Sequence, residues 1–150
     1  MIEHRDADPV DILLVEDNPG DVRLTQEAFA EANINNDMHV VTDGEAALNF
    51  VEQRERHADA PRPDLVLLDL NLPKVDGLEV LEHIKTSEQL RRIPVIVLTS
   101  SEAEEDVAQS YDKHTNAYLT KPIDPGEFVD VIQSFEDFWL TVVQLPPDPE

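Results

Sequence analysis

Leu65-Val66-Leu67-Leu68-Asp69-Leu70-Asn71-Leu72-Pro73-Lys74-Val75-Asp76-Gly77 is the stretch whose reading decides the fold. Leu65 to Leu68 form a short continuous apolar run, the pattern of a parallel strand covered on both faces rather than of a strand with one wet face. An acid ends the run, and Pro73 and Gly77 then punctuate the chain. Beyond them Leu78, Leu81 and Ile84 recur at three and four residues, which predicts an amphipathic helix. Gly77 is expected in a turn with positive φ, where a residue without Cβ is favoured.

The same strand-then-helix unit recurs on either side. Further strands are expected at Ile12 to Val15, Met38 to Val41, Val95 to Leu98 and Ala117 to Leu119. Three helices alternate with them before Val95, carrying Val22, Leu24, Ala28 and Phe29, then Ala46, Ala47, Phe50 and Val51, then the Leu78 set. A fourth helix is expected from Glu102 to Lys113, anchored by Val107, Ala108 and Tyr111. A fifth starts at Glu127 and runs to about Val143, where Pro146 and Pro147 stop it. Five repeats of this alternation predict an α/β fold, a five-stranded parallel sheet with helices on both faces and right-handed crossovers. The expected division is an N-terminal segment over residues 1–10, one domain over 11–145 and a tail over 146–150.

Composition narrows the function. At 150 residues and 41% hydrophobic content the chain suits one compact core. It has no cysteine, which excludes disulfides and a thiolate nucleophile. No secretory leader pattern or membrane-length apolar run is read, so a cytoplasmic location is expected. Thirty-three acids against eleven bases give a net charge of −22, a field that repels nucleic acid and anionic membranes. Such an acidic excess resembles that of salt-in halophile proteins; an ordinary acidic protein is the alternative.

In an open parallel sheet ligands bind beyond the carboxyl ends of the strands. Glu16 and Asp17 follow the first strand, Asp69 the third, Thr99 the fourth and Lys121 the fifth. Taken singly, each has an ordinary role as a cap, turn or solvated residue. Together at one edge they form a constellation. Three carboxylates crowded together raise one another's pKa and call for a hard cation. Mg²⁺ fits, with Asp17 and Asp69 as direct ligands and Glu16 acting through water. Lys121 and the Thr99 hydroxyl would then receive phosphoryl oxygens, and a carboxylate nucleophile would give an acyl phosphate.

The stretches ILLVEDNPGD (Ile12 to Asp21), LVLLDLNLPKVDG (Leu65 to Gly77), VIVLTSS (Val95 to Ser101) and AYLTKP (Ala117 to Pro122) resemble the receiver domains of two-component response regulators. More narrowly, VEDNPGD, DLNLPK, SEAEEDV and FWL resemble single-domain receivers associated with phytochrome-type sensor kinases. The resemblance implies a flavodoxin-like (βα)5 receiver fold and phosphorylation on Asp69. It implies an acidic pair, Glu16 and Asp17, and a backbone carbonyl of Asn71 toward Mg²⁺. It also implies Lys121 as the phosphoryl-binding residue and Thr99 with Tyr118 as a switch pair. The expected function is that of a phosphorelay switch with weak self-catalysed phosphorylation and dephosphorylation, not of a metabolic enzyme.

None of His4, His39, His57, His83 and His114 reads as a phosphoryl donor. The donor is therefore expected on a sensor histidine kinase or a histidine phosphotransfer protein. Two other readings stand beside this one. An Asp-dependent phosphohydrolase of the haloacid-dehalogenase type resembles it in nucleophile and metal, but Asn71 stands where those enzymes carry a second Asp. A pseudo-receiver adaptor would not need all five site residues. Finally, Phe138, Leu140, Val143 and Leu145 lie off the core stripe of the fifth helix. They predict a homodimer through the fourth helix, fifth strand and fifth helix.

Overall fold

The computed structural model describes residues 9–31, 35–70, 72, 74–99, 117–121 and 124–133. Its five strands are β1 (Val10–Val15), β2 (Asn36–Val41), β3 (Leu65–Asp69), β4 (Val95–Thr99) and β5 (Ala117–Thr120). All pair in parallel in the order β2-β1-β3-β4-β5. The helices are α1 (Pro19–Glu31), α2 (Gly44–Val51), α3 (Gly77–Thr86) and α4 (Pro125–Gln133), the last being the fifth helix of the sequence reading. The expected helix at Glu102 to Lys113 lies outside the described residues.

Alternation along each strand divides the core into two layers. Leu13, Val15, Val66, Leu68, Val95 and Val97 face α2 and α3, where they meet Ala47, Phe50, Val80, Leu81 and Ile84. Ile12, Leu14, Leu65, Leu67, Ile96 and Leu98 face the other way, against Phe29 of α1 and Phe128 of α4. Those two rings join the helices, their centroids 4.4 Å apart. Strands β1, β3 and β4 are almost completely buried, as their continuous apolar runs require. At the β2 edge the burial is partial, and β2 begins two residues before the apolar run that predicted it.

Helix starts follow side-chain capping. Asn18 Oδ1 accepts the Asp21 amide at 3.0 Å, with Pro19 in the first helical position. Asp43 caps α2 by accepting from Ala46 N at 2.7 Å, and Asp76 caps α3 by accepting from Leu78 N at 3.2 Å. Asp124 accepts from Glu127 N at 2.9 Å, so α4 begins at Pro125 rather than at Glu127.

Two local expectations are corrected. Leu24, expected on the apolar stripe of α1, is 41% exposed. Thr25 is inside instead, because its hydroxyl donates to the Asp21 carbonyl at 2.8 Å and enters the interface with its polar group satisfied. Gly77 does not have positive φ. It opens α3, and its need is space: a Cβ there would lie 2.6 Å from the Asp69 carbonyl oxygen and 2.7 Å from Leu70 Cα. Positive φ in that connection belongs to Lys74, at 69°.

Candidate functional site

The strand order reverses at β1, and the crevice beyond the carboxyl ends of β1 and β3 is where such a sheet offers a site. Glu16 and Asp17 leave β1 there, while Asp69 is the last residue of β3. Thr99 ends β4, and the amide of Lys121 donates to the Thr99 carbonyl at 2.8 Å just after β5. Glycine at position 77 lets α3 start directly against the backbone of Asp69, which fixes that strand end.

One carboxylate oxygen from each of Glu16, Asp17 and Asp69 falls within a 4.8 Å cluster. Asp17 is exposed, whereas the Glu16 and Asp69 side chains are shielded from solvent. Glu16 Oε1 accepts the Asn18 amide at 3.1 Å. The Lys121 ammonium lies 2.7 Å from Glu16 Oε2, 3.1 Å from Asp69 Oδ2 and 3.1 Å from Asp21 Oδ2. Glu16 Oε2 is buried, and its close neighbour is that ammonium. Thr99 Oγ1 is buried without a hydrogen-bond partner among the described residues.

Burial pushes the Glu16 carboxyl up to about 7; the Lys121 ammonium pulls it back and the Asp69 carboxylate pushes it further. Burial alone would lower Lys121, but Glu16 and Asp69 more than reverse this and leave it above an ordinary lysine. Three carboxyl groups therefore face one ammonium, and Asp17 adds a fourth beside Glu16 and Asp69. Such a set is short of positive charge. Hard oxygen donors and an excess of negative charge fit a divalent cation, which Glu16, Asp17 and Asp69 can hold.

Of the residues expected from sequence, Glu16, Asp17, Asp69, Thr99 and Lys121 converge at this edge. Asn71 lies outside the described residues. Tyr118 pairs in register with Val97 and packs against the α2/α3 layer. Thr99, two residues beyond Val97, projects to that same face of the sheet. Asp21 was missed. In sequence it reads as a first-turn acid of α1, favoured there by the helix dipole. Its spacing of one helical turn after Asp17 was the available signal.

The response regulator receiver domain model matches residues 12–133. The response regulator Rcp1 of Synechocystis sp. is 48% identical over 138 residues, covering 92% of this chain and 94% of its own. The crystal structure of the Mn(2+)-bound form of Rcp1 superposes with a TM-score of 0.72 at 47% identity, over 93% of this chain and 100% of that one. The phosphorylated cyanobacterial phytochrome response regulator RcpA gives 0.73 at 45% identity, over 93% and 99%. Strand order, the acidic pocket and these likenesses agree, and the chain belongs to the response regulator receiver domain family.

Proposed function

We propose that this protein is a phosphorelay switch that accepts a phosphoryl group on Asp69 from a sensor histidine kinase or a histidine phosphotransfer protein. The observation that carries the reading is the placement of Lys121 Nζ 3.1 Å from Asp69 Oδ2, beside the Glu16 and Asp17 carboxylates. An Asp69 carboxylate oxygen attacks phosphorus, the bond from phosphorus to the donor's imidazole nitrogen breaks, and that nitrogen keeps the electron pair. Lys121 then pairs with a phosphoryl oxygen, and the unused Thr99 hydroxyl donates to another. Mg²⁺, held by Glu16, Asp17, Asp69 and the Asn71 carbonyl, would neutralise charge on the transferring group.

Once Thr99 turns toward the phosphoryl group, space opens beside the sheet on the face that Tyr118 shares. The surface there changes, which is the output of a switch rather than of a metabolic enzyme. Similarity to phytochrome response regulators supports a light-sensing or related kinase as the donor. The remaining parts of the reading are a cytoplasmic location, adaptation to high salt, and a homodimer through the helix expected from Glu102 to Lys113, β5 and the C-terminal helix. Among the described residues no helix is long and apolar enough to cross a membrane.

Intact mass after incubation with Mg²⁺ and a small-molecule phosphodonor tests the proposal. One added phosphoryl group is expected, lost in Asp69→Asn and in EDTA. No addition under any condition would favour a pseudo-receiver adaptor, and sustained turnover of a phosphomonoester would favour the phosphohydrolase.

A further inference from the structure

Lys121 has three carboxylate neighbours, and they differ in one respect. Glu16 and Asp69 belong to the cluster that can hold a cation; Asp21 does not. A divalent ion entering that cluster claims the oxygens of Glu16 and Asp69 and repels the ammonium. With those two partners alone, Lys121 and the ion would compete for the same charge, and binding would require the ammonium to leave. Asp21 offers it a place to stay.

We propose that Asp21 is a positioning residue for Lys121, holding the ammonium at the pocket wall so that a divalent cation can take Glu16 and Asp69. This rests on the divalent-cation part of the reading above. Asp21 is suited to the task because its backbone is tied at both polar groups. Its amide is bonded to Asn18 Oδ1 at 3.0 Å and its carbonyl to Thr25 Oγ1 at 2.8 Å. Its carboxylate is therefore aimed from a rigid first turn, 100 residues away in sequence from the lysine it holds. Its side chain is 29% exposed, whereas that of Glu16 is fully buried. The bland alternative is that Asp21 merely complements the helix dipole.

A double-mutant cycle on Mg²⁺ affinity separates these roles, measured by calorimetry on the full chain without phosphodonor. Asp21→Asn is expected to weaken Mg²⁺ binding roughly fivefold, a coupling of ordinary size. Lys121→Met should strengthen it by removing the competing cation. In the Lys121→Met background, Asp21→Asn should change affinity less than about twofold on the same scale. Asp21→Glu should restore most of the loss, and Asp21→Ser serves as a second charge removal should the Asn variant fold poorly. Equal weakening in both backgrounds would mean that Asp21 acts by its own charge and would overturn the proposal. So would an Asp21→Asn affinity equal to wild type. Absence of Mg²⁺ binding by the wild-type chain would overturn the metal reading itself, a distinct outcome.

Discussion

Lys85 and Lys121 are both withdrawn from solvent, and their surroundings set them apart. Lys85 closes the corner between α3 and β4, its ammonium donating to the carbonyls of Arg91 at 3.0 Å and Ile93 at 2.7 Å. Burial lowers its pKa to about 8. Lys121, among carboxylates, is raised instead. Neutral dipoles make a buried lysine a staple of the backbone. Carboxylates in excess of the ammonium leave a site short of positive charge, poised for a cation and for a group that redistributes charge. The first arrangement serves the fold; the second costs the fold something and serves chemistry.

Breaking the second arrangement should cost most. Lys121→Met leaves Glu16, Asp21 and Asp69 facing one another, and removing one partner of a buried ion cluster destabilises by about 3 kcal/mol. Urea unfolding in EDTA should show this, and saturating Mg²⁺ should recover part of it. Mg²⁺ alone should raise wild-type stability by mass action, about 2.7 kcal/mol at a hundredfold excess over Kd. Asp17→Ala should abolish the rise, while Lys85→Met should leave it intact.

Breaking the first arrangement should cost less. Lys85→Met removes the donor from two carbonyls, at about 2 kcal/mol. The pH dependence has a definite sign. The folded pKa of about 8 lies below the ordinary lysine value of 10.5, so between them the unfolded chain binds more protons. The Lys85 contribution to stability therefore rises with pH across that window. The gap between wild type and Lys85→Met should widen from pH 8 to pH 10.5. The smallest effect belongs to the β3–α3 connection. Lys74→Gly relieves a left-handed backbone and should stabilise by about 1 kcal/mol.

The sheet was legible because β1, β3 and β4 are continuous apolar runs whose ends carry acids or Thr99. The site residues followed from where a parallel sheet places strand ends. What escaped were features set by tertiary contact. Leu24 and Thr25 exchanged places because a hydroxyl found a carbonyl within its own helix, which hydropathy does not see. Gly77 is required by the nearness of Asp69, not by its own φ. Asp21 looked like a dipole-matched surface acid, and its partner lies 100 residues on. The start of β2 was hidden because Asn36 and Asp37 are polar and sit on an edge strand.

The central claim is that Asp69, rather than any other of the thirty-three acids, takes the phosphoryl group. Borohydride reduction of the chain after reaction with Mg²⁺ and a phosphodonor tests it directly, since an aspartyl phosphate is reduced to homoserine while free carboxylates are untouched. Peptide mass mapping should place homoserine at position 69, dependent on Mg²⁺. Homoserine at another aspartate, or at none while intact mass shows phosphoryl addition, would contradict the account.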